Sequence, residues 1–196
     1  MKYFLDFDRT IYDTDAFKKS IAKRPTALEL LRQFKAAIAE FFARDHAHSR
    51  RRRFARTWGT FLSHGRFSFT PEELKHFLYP EVPAFLAAND CTIVTYGVRA
   101  FITAKVTTAL TDLPLTDIVY THRKKGRTIR RLCGKTDDSC TFVDDMVFQL
   151  ASVAEWCPRV TVVEMRRNGA AGDGRWPVVH SLEELAVLAA NDPGSI

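Results

Sequence analysis

Long apolar runs are missing from this chain. In 196 residues nothing approaches the roughly 20 consecutive apolar residues that a membrane-spanning helix needs, so no membrane partner is expected. The first residues carry charges at Lys2, Asp6 and Asp8, which argues against a secretory signal peptide. Cysteine is scarce. Cys91, Cys133, Cys140 and Cys157 show no Cys-x-x-Cys spacing, so neither a zinc site nor a disulfide framework is indicated. A reducing, cytoplasmic compartment is the expectation. His46 and His48 form a His-x-His with no matching ligand set, and read as surface residues. Internal repeats and low-complexity tracts are also missing. What remains is the composition of a globular protein, 46% hydrophobic, long enough for one core domain with a modest insertion.

The formal charge is +6 and is unevenly spread. Residues 11–90 carry 14 lysines and arginines against 9 carboxylates, whereas residues 91–196 carry 13 against 12. The excess follows directly on the N-terminal segment and favours an anionic partner or substrate near it.

That N-terminal segment is the most informative part of the chain. Tyr3-Phe4-Leu5-Asp6-Phe7-Asp8-Arg9-Thr10 is an apolar run ending in Asp-x-Asp-x-Thr. It predicts a buried strand whose C-terminal end presents two carboxylates and a hydroxyl. Residues i and i+2 of a strand point the same way, so Asp6 and Asp8 can serve one reaction centre. Like charges held that close cost free energy unless a cation or a task compensates. The bland alternative is a polar turn in which Asp8 or Thr10 caps a helix.

Three blocks follow from the patterning. Residues 1–12 are the first strand and its exit turn. Residues 13–80 read almost wholly helical: Leu28, Leu31, Phe34, Ile38, Phe41 and Phe42 share one face, and Phe54, Trp58, Phe61 and Leu62 another. Thr70-Pro71-Glu72-Glu73 is a capping box with Pro at the first helical position, predicting a helix to about residue 78. Residues 81–196 alternate: strands at 91–97, 117–121, 141–143, 160–163 and 177–180, with helices at 98–110, 125–133, 147–156 and from Ser181. Alternating strand and helix predict a doubly wound α/β core, with ligands at the C-terminal ends of its parallel strands.

Each of those ends carries a polar cluster, and together they resemble the four ordered motifs of the haloacid dehalogenase superfamily, mostly Mg²⁺-dependent phosphatases. The first is Asp6-Phe7-Asp8-Arg9-Thr10. The second is Ile93-Val94-Thr95-Tyr96-Gly97, a strand ending in a hydroxyl. The third is a lysine at a helix start, Lys125 in His122-Arg123-Lys124-Lys125-Gly126, with Lys124 adjacent and Lys135 as a further candidate. The fourth is the acidic pair of Phe142-Val143-Asp144-Asp145.

The resemblance implies a Rossmann-like three-layer core from residues 1–12 and 81–196, and a small all-helical cap from residues 13–80. It implies Asp6 as nucleophile, and Asp8 as acid and base with its backbone carbonyl on the metal. Asp144 and Asp145 would complete the Mg²⁺ site. Thr95, with the amides of Tyr96 and Gly97, would hold phosphate, and Lys125 would offset charge. The chemistry explains the residue types, since Mg²⁺ lets an anionic nucleophile approach an anionic phosphate monoester. An acid-base Asp8 favours phosphoryl transfer over dehalogenation. Thr10 and Arg9 are further candidate substrate contacts. Arg9 stands where Gly is commoner, and either forms an ion pair or reaches substrate.

Bland readings stand beside these. Thr95 could simply end a strand, and Asp144 and Asp145 could cap the next helix. Arg50-Arg51-Arg52-Arg53 with Arg56 is either a solvated helix face, a clamp in which Arg53 holds a second anionic group of a small substrate, or a nucleic-acid contact. The functional alternatives are a phosphotransferase or mutase, and a non-catalytic polyanion-binding module.

Overall fold

The computed structural model describes residues 1–22, 70–96, 99–115, 117–134 and 140–190. Among them, in chain order, are β1 (Lys2–Leu5), α1 (Thr14–Ala22), α2 (Pro71–Lys75), α3 (Val82–Ala88), β2 (Asp90–Tyr96), α4 (Arg99–Ala109), β3 (Asp117–Thr121), α5 (Gly126–Cys133), β4 (Cys140–Asp144), α6 (Val147–Trp156), β5 (Thr161–Met165), β6 (Val178–Val179) and α7 (Leu182–Ala190). Every strand pairing is parallel, in the order β3-β2-β1-β4-β5-β6.

The strands are apolar on both faces because both are covered. Tyr3, Leu5, Ile93, Val143, Val163 and Met165 point to one side, where Val82, Phe85, Leu86, Val106, Leu182 and Leu185 of α3, α4 and α7 pack on them. Phe4, Val94, Phe142 and Val162 point to the other, against Ile129, Leu150 and Val153 of α5 and α6. Neighbouring residues of one strand thus enter opposite layers, as the period of two requires. Each large side chain so buried contributes about 1.5–3 kcal/mol. The result is the three-layer α/β core expected from the alternation.

The order reverses at β1, whose two neighbours, β2 and β4, leave in opposite directions along the sheet. Such a switch point leaves a crevice at the C-terminal strand ends. Leu5 lies level with Ile93 on one side and Val143 on the other, and the Asp6 N–H extends the ladder to the Val143 carbonyl at 2.9 Å. Asp6 therefore leaves the sheet at its centre, beside Asp144.

The capping box at Thr70 is present. The Glu73 N–H donates to Thr70 Oγ1 at 3.2 Å and the Thr70 N–H to Glu73 Oε2 at 2.9 Å. The helix it starts ends at Lys75, short of the expected residue 78. Leu78 turns to form an antiparallel bridge with Tyr12, the Tyr79 N–H donates to the Ile11 carbonyl, and Pro80 disfavours helical backbone at Tyr79. Phe17 of α1 and Leu74 of α2 belong to the same apolar cluster as Leu5 and Ile93. The helical faces read at residues 28–42 and 54–62, with His46, His48 and the Arg50–Arg56 run, lie outside the described residues.

All four cysteines are buried, and none forms a disulfide. No helix among the described residues is long and apolar enough to cross a membrane.

Candidate active site

Asp6 and Asp144 end adjacent strands, and the turn leaving β3 brings Lys125 between them. The turn is closed by Thr121, whose hydroxyl accepts the Arg123 N–H at 3.1 Å. Lys125 then precedes the first residue of α5. The opening N–H groups of a helix have no partner within it. Here α6 supplies partners: the Lys125 N–H donates to Gln149 Oε1 at 2.8 Å and the Gly126 N–H to Ser152 Oγ at 3.3 Å. The two helices approach so closely at this point that a Cβ on Gly126 would lie 2.1 Å from the Ser152 carbonyl oxygen.

Fixed in this way, Lys125 Nζ donates to Asp6 Oδ1 at 2.5 Å and to Asp144 Oδ2 at 2.6 Å. All three residues are sealed from solvent or nearly so. Lys124 is exposed, and Lys135 lies outside the described residues. Asp144 Oδ1 also accepts the Met146 N–H at 2.8 Å, just ahead of α6, whose N-cap is Met146 and not Asp144. Asp145 completes the group: one carboxylate oxygen each from Asp6, Asp144 and Asp145 lie within 4.8 Å of one another.

Carboxylates this crowded and buried resist ionisation. Burial, with Asp144 and Asp8 nearby, raises Asp6 to about 7 despite Lys125. Burial and Asp6 raise Asp145 to about 6 against the pull of Arg9 and Lys125. Burial raises Asp144 as well. For Lys125, burial acts downward but the two aspartates outweigh it and leave its pKa raised. One ammonium thus faces three carboxylates, and the centre is short of positive charge.

Asp8 lies outside that group. Its Oδ1 pairs with Lys105 Nζ and accepts the Thr14 hydroxyl at 2.5 Å. Lys105 comes from α4, is only 6% exposed, and lies 5.0, 5.1 and 5.7 Å from the ring centres of Phe7, Tyr12 and Phe17.

Arg9 has φ +59°, the left-handed backbone in which glycine is at ease. Its guanidinium makes two hydrogen bonds to Asp15, at 2.9 and 3.0 Å, and approaches Asp145 at 3.8 Å, so it is an ion-pair residue here. Thr10 and Thr95 are buried, and neither hydroxyl has a hydrogen-bond partner among the described residues. The Thr10 carbonyl accepts two hydrogen bonds from Arg167, at 2.6 and 2.9 Å; that guanidinium also stacks on Tyr79 and pairs with Glu81. Tyr96 is half-buried with its ring edge-on to Phe148. Gly97 and Arg53 lie outside the described residues.

Lys105, Thr14, Gln149 and Arg167 escaped the sequence reading. Only Lys105 left a trace there, as a lysine with no acidic residue within four positions on its helix.

A cavity of about 600 Å³ opens beside the carboxylates, lined by Asp145 and Arg9 and by the charged side chains of Asp13, Lys19, Arg166 and Arg167, among others.

No protein-family model and no curated protein matches this chain. Solved structures do. The putative HAD-hydrolase YfnB from Bacillus subtilis bound to magnesium is 13% identical with a TM-score of 0.59, over 96% of this chain and 97% of that one. L-2-haloacid dehalogenase from Xanthobacter autotrophicus, with chloropropionic acid covalently bound, is 15% identical with a TM-score of 0.55, over 98% and 100%. A putative haloacid dehalogenase-like hydrolase from Burkholderia xenovorans is 16% identical with a TM-score of 0.58, over 93% and 95%. At these identities the likeness is one of fold, and the chain has the fold of the haloacid dehalogenase superfamily.

Proposed function

We propose that this protein is a Mg²⁺-dependent phosphatase acting on a small organic phosphate monoester through an aspartyl-phosphate on Asp6. The observation that carries the reading is Lys125 Nζ bridging Asp6 and Asp144, with Asp145 beside them, at the sheet's switch point.

The donor set fits magnesium. It offers only carboxylate oxygens, the ligands a hard divalent cation takes, and the raised pKa values of Asp6 and Asp145 mark a centre that a further cation would relieve. Asp6, Asp144 and Asp145, with the Asp8 carbonyl, would hold the ion. When bound, it supplies charge neutralisation that lets a carboxylate approach a phosphate dianion.

The chain's own groups account for the remaining steps. An Asp6 carboxylate oxygen attacks phosphorus, and the bond from phosphorus to the ester oxygen breaks. The Asp8 carboxyl gives its proton to that leaving oxygen. As a carboxylate it then takes a proton from water, whose oxygen attacks phosphorus and frees Asp6 and inorganic phosphate. Lys125 holds Asp6 in line and balances charge through both steps. The Thr95 hydroxyl, which has no hydrogen-bond partner among the described residues, donates to the phosphate oxygens together with the amides of Tyr96 and Gly97. The neighbouring cavity, with charges of both signs on its wall, suits a small polar leaving group. In this reading residues 13–80 are the helical cap, rooted on the core by Phe17 and Leu74.

The test is phosphate release from a panel of small phosphate esters, with Mg²⁺, with chelator and with Asp6→Asn. Turnover that requires both the metal and Asp6 is the expected result. Turnover by the Asp6→Asn variant at the parent rate, or none by the parent protein on any ester, would overturn the reading.

A further inference from the structure

We infer that Lys105 is a positioning residue for Asp8, holding one oxygen of that carboxylate so that the other faces the leaving group. The inference rests on the phosphatase reading above and assigns a part to a residue that none of the four motifs contains.

The contacts divide the Asp8 carboxylate into two unlike ends. Oδ1 takes both donors, Lys105 Nζ and the Thr14 hydroxyl. Among the described residues, no hydrogen bond reaches Oδ2. A carboxylate fixed through one oxygen loses its freedom to rotate and presents the second in one direction. That is what a group needs if it is to give a proton to one ester oxygen. The Asp8 side chain is one-third exposed, whereas Lys105, which holds it, is only 6% exposed.

Lys105 itself is held on all sides. Its ammonium sits among the rings of Phe7, Tyr12 and Phe17, each within 6 Å, an arrangement that stabilises a cation and restricts its movement. Phe7 lies between the two aspartates in sequence, Tyr12 is on the same exit turn, and Phe17 is on α1. The side chain therefore ties α4 to the turn that carries Asp8. Burying an ammonium on a helix is costly unless it is paired. A lysine serving only to fill space would be better replaced by an apolar residue such as its neighbours Val106 and Ala109.

The discriminating experiment compares two phosphate esters by kcat/KM, which reports the transfer to Asp6. An alkyl phosphate needs its leaving oxygen protonated, whereas p-nitrophenyl phosphate does not. Lys105→Met should lower kcat/KM for the alkyl ester by about tenfold or more, the scale expected when a general acid is misplaced, and change that for the nitrophenyl ester much less. Thr14→Val removes the second donor to Oδ1 without touching a charge. It should show the same dependence on leaving group, more weakly, whether or not the Lys105 variant folds. In an Asp8→Asn background, Lys105→Met should add little. Equal losses on both esters, or an undiminished loss in the Asp8→Asn background, would overturn the inference while leaving the phosphatase reading intact. Failure of the phosphatase reading shows separately, as absence of Mg²⁺- and Asp6-dependent turnover in the parent protein.

Discussion

Asp6 and Asp145 decide how the centre responds to pH. Both bind protons more tightly in the folded chain than at the ordinary carboxylate value of 3.8, Asp6 up to about 7 and Asp145 up to about 6. A group raised in this way contributes stability at low pH that is lost as pH climbs through the folded value. Without divalent cations, the melting temperature should therefore carry a falling component between about pH 4 and pH 7. Mg²⁺ competes with those protons, so the rise in melting temperature on adding Mg²⁺ should be larger at pH 7.5 than at pH 5. Thermal melts at both pH values, with Mg²⁺ and with chelator, measure it. An equal Mg²⁺ shift at the two pH values would mean that these carboxylates do not hold the ion. At this scale the sequence was legible where chemistry repeats a local pattern. Asp6, Lys125, Asp144 and Asp145 meet, and each was found from a strand end or helix start. Lys105 was not, because its partner Asp8 lies 97 residues away and only the packing of α4 on the exit turn joins them. Arg9 illustrates a half-legible position: the expectation of glycine there is explained by its φ of +59°, and the ion pair with Asp15 by a turn that no local rule describes.

The contact of α5 with α6 sets the precision of the site. Lys125 precedes α5, and its own backbone is held by Gln149 from α6. Gly126 permits the close approach, since any Cβ there would collide with the Ser152 backbone. Gly126→Ala should force the helices apart and destabilise the fold by about 1–3 kcal/mol. Because Lys125 directly precedes the displaced helix, turnover should fall by more than the loss of folded protein explains. Chemical denaturation alongside activity per folded molecule measures both, and a variant with parent-like stability and turnover would contradict this account of the contact. Element types were readable from periodicity and capping, as the Thr70 box shows. Element ends were less so. α2 stops at Lys75 because Leu78 pairs with Tyr12, a contact between chain segments that meet only in the folded protein. The close seat of Gly126 was equally invisible, since the sequence does not say which helix will cross it.

The molecule as a whole places its chemistry by topology. The order β3-β2-β1-β4-β5-β6 brings the ends of the first, second and fourth strands together with the helix that follows the third, although they are far apart in sequence. Alternating strands and helices made the doubly wound core legible, because each strand buried on both faces reads as a continuous apolar run. Phe17 of α1 and Leu74 of α2 share the main core and so pack with the body that carries the site. The central claim is that this topology makes Asp6 a nucleophile toward phosphorus. The most direct measurement is to quench the turning-over enzyme with acid and locate any acid-stable phosphoryl group by peptide mass analysis. The account predicts phosphorylation of Asp6, dependent on Mg²⁺ and absent from Asp6→Asn. Phosphoryl on another residue, or full turnover by the Asp6→Asn variant with no phosphorylated peptide, would contradict it.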